Sequence, residues 1–297
     1  MKQASPKVIR KADRPTENDS PAVGQPSAQA AFTSFAAPLV DDAIGYAHAV
    51  REDASPEALH KLRVSLRRLR SLWWAFEPLL DKGEGTRQRA LYKYLATAAG
   101  KTRDWDILIE LLAQEDVSVR TEVREMAPKM GEARDNAFTA SRETLSNADV
   151  KHLLREALTS ASTTLNTSNQ RMPLRKFAKQ RVAASERSLR KSVRRAARAR
   201  RSNYPAFHAV RKAGKKLRYL LEFFEPILGG GRKRALKRLK QIQKRFGALN
   251  DFVASEMLLR ENASLLSASS DTEAALHWLK QERKRRMRAA AGLLRKL

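Results

Sequence analysis

Between residues 60 and 80 the chain reads HKLRVSLRRLRSLWWAFEPLL, and its apolar residues Leu62, Leu66, Leu69, Trp73 and Phe76 recur every three or four positions. That is the period of one face of an α-helix. The same period runs through most of the chain, and no segment alternates convincingly with period two. The pattern predicts an all-α fold without a sheet. A helix is expected over 39–50. The next starts at Ser55-Pro56-Glu57, with Ser55 as N-cap, Pro56 at the first helical position and Glu57 in the first turn. It stops near Pro78. DKGEG at 81–85 reads as a turn. Helical periodicity resumes over 86–112, softly interrupted at Gly100, and again over 118–146 and 149–165. The polar segment TSNQRM at 167–172 marks the midpoint. The second half opens with a helix over 173–201. Asn203 to Pro205 restarts the chain into a further helix that ends at GGG, 229–231. Helices over 232–262 and from 271 to the end complete the chain. Residues 1–34, rich in Pro, Ser, Gln and Ala, read as a disordered tail ahead of two helical bundles, 35–168 and 169–297.

The stretch at 60–80 returns at 208–228 as HAVRKAGKKLRYLLEFFEPIL. The two align without a gap. His60 falls on His208, Arg63 on Arg211, Leu69-Arg70 on Leu217-Arg218, Leu72 on Leu220, and Phe76-Glu77-Pro78 on Phe224-Glu225-Pro226. Arg67-Arg68 fall on Lys215-Lys216, so charge is kept where identity is not. A second echo begins at Gly100 (GKTRDWDILIELL) and at Gly247 (GALNDFVASEMLL), matching Asp104 with Asp251 and Trp105 with Phe252. Internal duplication is the simplest account. It predicts two similar antiparallel bundles in pseudo-twofold relation.

Charge narrows the range of partners. The 297-residue chain holds 59 Lys and Arg against 32 Asp and Glu, a formal net charge of +27. Such an excess opposes compaction by self-repulsion unless a polyanion offsets it. Nucleic acid, anionic membrane and inorganic polyphosphate all qualify. A hydrophobic content of 42% suffices for a core, and 12 Gly with 11 Pro suit a helical chain. The absence of cysteine excludes disulfides, thiolate catalysis, Fe–S clusters and Cys-based zinc sites. No apolar run approaches the ~20 residues that span a bilayer, and the N-terminus shows no apolar signal-peptide core. Cytoplasm is the expected compartment, without membrane insertion.

On a helical wheel His60, Arg63, Arg67 and Arg70 form one stripe, opposite the apolar one. His208, Arg211, Lys215 and Arg218 do the same in the second copy. A charged stripe is ordinarily a solvated face. Solvated faces, however, mix Glu with Lys, and like charges at i,i+3 and i,i+4 repel by a few tenths of a kcal/mol per pair. No acid occurs over 61–76 or 208–221. Two copies of one repulsive stripe point to a ligand that relieves the repulsion. The histidines, expected in the first turn, stand where a helix N-terminus favours phosphate, although capping or packing is the ordinary role of such a residue. The aromatics Trp73, Phe76, Trp105, Phe224 and Phe252 sit at core spacing. Three further basic runs, at 187–201, 232–245 and 283–288, read as a positive exterior that steers polyanions.

The HxxRxxxKxLR…FEP pattern followed by G…RDxD, present twice in one basic helical chain, resembles the CHAD domain, the conserved-histidine α-helical domain. The resemblance covers 35–297. It implies two helical bundles flanking a basic channel or groove that binds inorganic polyphosphate. Carried onto this chain, it marks His60, Arg63, Arg67, Arg68 and Arg70, then His208, Arg211, Lys215, Lys216 and Arg218. It adds Lys93 and Lys101 in the first half and Lys237, Lys240 and Lys244 in the second. Asp104, Asp251, Glu77 and Glu225 are expected to orient some of these cations, or else to serve as caps and surface partners. The chain departs from the pattern at Arg67-Arg68, where Lys is commoner, and at Asn250-Asp251-Phe252-Val253, which loses an Arg and an Asp of RDxD. The ExExK signature of the CYTH triphosphatases often fused to CHAD domains is absent. No Cys nucleophile, P-loop, HExxH or His/Asp metal cluster is visible, so no catalytic residue, metal or cofactor is expected. The expected function is non-catalytic polyphosphate binding, with residence on polyphosphate granules; a nucleic-acid-binding helical protein is the alternative.

Overall fold

The computed structural model describes residues 26–52, 55–113, 120–200, 202–229, 231, 233–266 and 269–295. The first 25 residues of the expected tail lie outside them. The elements in chain order are α1 (Ala28–Glu52), α2 (Pro56–Phe76), a short 3₁₀ turn (Glu77–Leu79), α3 (Lys82–Ala98), α4 (Lys101–Ala113), α5 (Arg120–Asn147), α6 (Val150–Thr167), α7 (Leu174–Arg198), α8 (Tyr204–Leu228), α9 (Lys233–Glu261), α10 (Ala263–Leu266) and α11 (Ser269–Leu294). The fold is all-α. Among the described residues there is no strand beyond one isolated bridge, Ser27 with Pro173, and no helix is long and apolar enough to cross a membrane.

Local chemistry sets the helix starts. Ser55 accepts from the Ala58 amide at 3.4 Å ahead of Pro56. Asn203 accepts from the Ala206 amide at 3.2 Å ahead of Pro205. Two expectations need correction. DKGEG is not a turn: Asp81 caps α3 by accepting from the Glu84 amide at 2.8 Å, and the helix begins at Lys82. A carboxylate on a free first-turn amide outweighs the helix cost of Gly83 and Gly85. The first helix also begins at Ala28, well before 39, and runs through Pro38. The last residues of the expected tail therefore belong to the core, with Ala28 and Phe32 fully buried. Alanines spaced three or four apart carry this face, a faint signal in sequence. The start is tied down by the linker at the chain's midpoint. The Ala28 amide donates to the Met172 carbonyl at 2.8 Å, and the Met172 amide donates to Gln29 Oε1 at 3.1 Å.

Helix α2 packs on α1 and α3, and α8 on α7 and α9. Their matching residues meet: the Phe76 and Phe224 rings are 6.0 Å apart. Phe32 of α1 and Phe177 of α7 close on Phe76 at 5.2 and 5.1 Å. The main core thus draws on both sides of the midpoint. A smaller core joins α4 and α5 to α9 and α11 through Trp105, Leu108, Met130, Phe252 and Leu279. All five aromatics assigned to the core from sequence are buried.

Because Phe76 touches rings from three other helices, Phe76→Ala should lower unfolding free energy by about 3–5 kcal/mol in urea titration. The wild type should unfold in one transition by both circular dichroism and tryptophan fluorescence. Two separated transitions would mean that the halves fold independently.

Candidate functional site

Burying Leu62, Leu66, Leu69, Trp73 and Phe76 turns the opposite face of α2 outward. Where α2 passes α8, that face meets its counterpart over an open groove of about 540 Å³. Arg67 and Arg70 come from α2, Arg89 and Lys93 from α3, and His208, Arg211, Lys212, Lys215 and Lys216 from α8. Ser71, Trp74, Thr86, Ala90 and Tyr219 complete the lining; no acid contributes. A smaller cavity of about 150 Å³ lies alongside, with His60, Arg63 and Arg103 facing Asp104, Asn250 and Asp251. Arg67 and Arg211 line both, so the two spaces join at the helix crossing.

The crossing concentrates positive charge. Burial pushes the Arg67 guanidinium below its ordinary pKa; Tyr219 opposes this, and Arg63, Arg211 and Arg218 reinforce it. Lys216 is lowered for like reasons: burial first, Glu77 opposing, then Arg89, Arg70 and Arg181. The Lys216 ammonium lies 4.5 Å from the centroid of the Trp74 ring, and the Arg181 guanidinium lies 4.8 Å from the same centroid. Arg181 also donates to the Trp74 carbonyl at 2.7 Å. One aromatic ring thus steadies two cations at the groove wall.

Acids hold some of these cations in place. Asp104 accepts from both terminal nitrogens of Arg63 at 3.3 Å, and the Gly100 carbonyl accepts from one of them at 3.2 Å. A Cβ on Gly100 would stand 2.9 Å from Arg63 Cζ, so glycine is what admits the guanidinium. Glu77 pairs with Arg89 at 2.9 Å. Asp251 is raised above the usual carboxylate range chiefly by burial, with Arg211, Asn250 and Arg103 opposing and Asp104 adding. Glu225 is exposed, and the acid that pairs on this helix is instead Glu222, 3.0 Å from Arg218.

The histidines are not in the first turn. His60 and His208 are each the fifth residue of their helix, past the free amides. His60 is exposed beside Arg63 in the small cavity. The Tyr204 hydroxyl lies 3.3 Å from His208 Nδ1 and donates to Asn250 Oδ1 at 3.1 Å. Burial lowers the His208 pKa, Lys212 and Arg211 lower it further, and Asn250 opposes.

Not every residue marked from sequence reaches these two spaces. Arg68 is half-buried on α2, Lys101 is exposed at the start of α4, and Arg218 is held by Glu222 and the Tyr219 ring. Lys237, Lys240 and Lys244 are exposed on α9, whose Leu239 and Ile242 pack near Gly214 of α8. Conversely, Trp74, Arg89, Lys212 and Tyr219 line the groove and were missed. Lys212 was legible as the residue one turn after His208. Its counterpart in the first stretch is Val64, so the repeat does not mark it.

A helical fold with an acid-free, basic groove at the crossing of two similar helices defines the class. A CHAD domain family model matches residues 35–260, and the chain belongs to the CHAD domain family. The fold is shared with the crystal structure of the CHAD domain from the plant Ricinus communis, at 24% identity and a TM-score of 0.79 over 94% of this chain and 95% of that one. PptA from Streptomyces chartreusis is a more distant likeness, at 15% identity and a TM-score of 0.60 over 91% of this chain and 98% of that one. No curated protein matches the chain.

His208 titration is the direct probe of the groove's electrostatics. Its imidazole should titrate below the ordinary ~6.5 by NMR, and Lys212→Gln should move it upward. Since the folded-state value is depressed, the unfolded chain takes the proton first. The contribution of His208 to stability is therefore full above about pH 6.5 and is lost as pH falls through the unfolded value toward the depressed folded one.

Proposed function

We propose that the protein binds inorganic polyphosphate in the groove between α2 and α8, without catalysis, and that this binding carries it to polyphosphate granules in the cytoplasm. One observation carries the reading. Eight Lys and Arg side chains and one His face a single groove to which no acid contributes. A linear anion charged at every unit and lacking bases suits such a track. Arg grips phosphate oxygens bidentately and Lys supplies point charge. Arg63, held by Asp104, is pre-organised for the same purpose in the adjoining cavity. The CHAD family membership is consistent with this ligand.

The nucleic-acid alternative finds less support in the lining. Single-strand binders offer aromatic faces for base stacking. Here the Trp74 ring carries Lys216 and Arg181, and Arg218 lies over Tyr219.

Reversing charge at Arg67 and Arg211 together should weaken long-chain polyphosphate binding by at least about a hundredfold, with a shallower dependence of log Kd on log salt. Duplex DNA at equal phosphate concentration should displace little of the ligand. Full affinity in the reversed variant, or ready displacement by DNA, would overturn the proposal. Incubation with Mg²⁺ or Mn²⁺ should release no phosphate.

The pH dependence has a fixed sign. Bound phosphate raises the His208 pKa from its depressed free value, so affinity should increase as pH falls from about 8 toward 6. A His60→Gln, His208→Gln double variant should lose that increase. If the variant keeps all of it, these histidines do not face the ligand.

A further inference from the structure

We propose that the exposed face of α7 is a second polyanion site that extends the groove and makes the protein favour long chains; this rests on the polyphosphate reading above. Arg187, Arg190, Lys191, Arg194, Arg195 and Arg198 are all exposed on α7. At 100° per residue they occupy one arc less than half the circumference and run for about 16 Å. Four of them, Lys191, Arg194, Arg195 and Arg198, line a cleft of about 470 Å³ with Ala199. Glu186 is the only acid in α7. None of the six forms an ion pair with another described residue.

The basic run on α11 is a contrast, because three of the five cations at 283–288 have acid partners. Arg283 pairs with Glu256 at 3.1 Å, and Arg285 and Arg286 pair with Glu282 at 3.1 and 3.3 Å. Those cations are structural. The α7 stripe has no such partners, and cations on adjacent turns repel. An external polyanion would relieve that repulsion.

Position ties the stripe to the groove. Helices α7 and α8 pack closely and are joined by a short connection, 199–203, so they run antiparallel. Leu189 lies beside Gly214. From there α7, with the stripe on its outer face, runs back alongside the part of α8 that carries Lys212 and His208. Arg181, nearer the start of α7, already touches Trp74 in the groove wall. A chain that fills the groove and leaves it on this side meets the stripe next. An oligophosphate short enough to sit in the groove does not reach it.

The test replaces Lys191, Arg194, Arg195 and Arg198 together by Gln in the full chain, with helical content checked by circular dichroism. Tripolyphosphate and long-chain polyphosphate are titrated at matched salt. The long-chain Kd should rise about tenfold or more with a shallower salt slope, while the tripolyphosphate Kd should change less than about twofold. A companion variant with Lys at all four positions should keep long-chain affinity. Should the Gln variant fail to fold, the pairs Lys191 with Arg195 and Arg194 with Arg198 are replaced separately, each with part of the loss. Equal loss for both lengths, no loss for either, or loss of duplex DNA binding alone overturns the extension. Failure of the groove reading has a different signature: charge reversal at Arg67 and Arg211 then leaves tripolyphosphate affinity unchanged. A wild type that binds neither length overturns both.

Discussion

Mutual repulsion of cations at the crossing of α2 and α8 is the constraint around which this protein is arranged. Arg67 is half-buried there within the fields of Arg63, Arg211 and Arg218. No acid lines the groove to offset that charge. The apolar faces beneath must hold it in place. Each fully buried Leu, Phe or Trp contributes about 1.5–3 kcal/mol, and α2 alone buries Leu59, Leu62, Leu66, Leu69, Leu72, Trp73 and Phe76. The ring cluster of Phe32, Phe76, Phe177 and Phe224 anchors the end of both basic helices at one point. Core and site are therefore two faces of the same helices, and the core supplies the energy that keeps the groove charged when empty.

The two repeated stretches do not contribute equally. Tyr219 stands where the first stretch has Ser71, Lys212 where it has Val64, and Trp74 where the second has Glu222. With Gly100 set on Gly247, Arg89 falls on Leu236. These four differences put extra cations and an aromatic wall on the α3 side. On the α9 side, Glu222 engages Arg218 instead. The groove opens toward α3, and Lys237 and Lys240 remain on the outer surface of α9.

Pairing with acids divides the remaining basic residues. Where a carboxylate is at hand the cation is fixed: Arg63 by Asp104, Arg89 by Glu77, Arg283 by Glu256. Fixed arginines lose little entropy when a phosphate arrives, which favours binding. Cations without such partners, in the groove and along α7, supply the net field that draws a polyanion in. Charge run alone does not separate these roles. The runs on α7 and α11 look alike in sequence, yet only the second has ion-paired members, Arg283, Arg285 and Arg286.

Helical period, capping residues and the doubled basic motif were legible from the chain alone, because each depends on neighbours within a few positions. So were the core aromatics; that Arg67, Arg70, Lys93, His208, Arg211, Lys215 and Lys216 share one surface was implied by the resemblance to the CHAD domain and not by local spacing. Three things depended on tertiary structure. The start of α1 at Ala28 depended on backbone hydrogen bonds to a linker over a hundred residues away. The outward turn of Trp74 beside the inward turn of Trp73 depended on where α7 and α8 pass. The exclusion of Lys237, Lys240 and Lys244 from the groove depended on which side of α8 the helix α9 packs, and that of Arg218 on its pairing with Glu222. A sequence fixes which side of its own helix a residue occupies. Only the packing of other helices decides whether that side faces a groove, a carboxylate or open solvent.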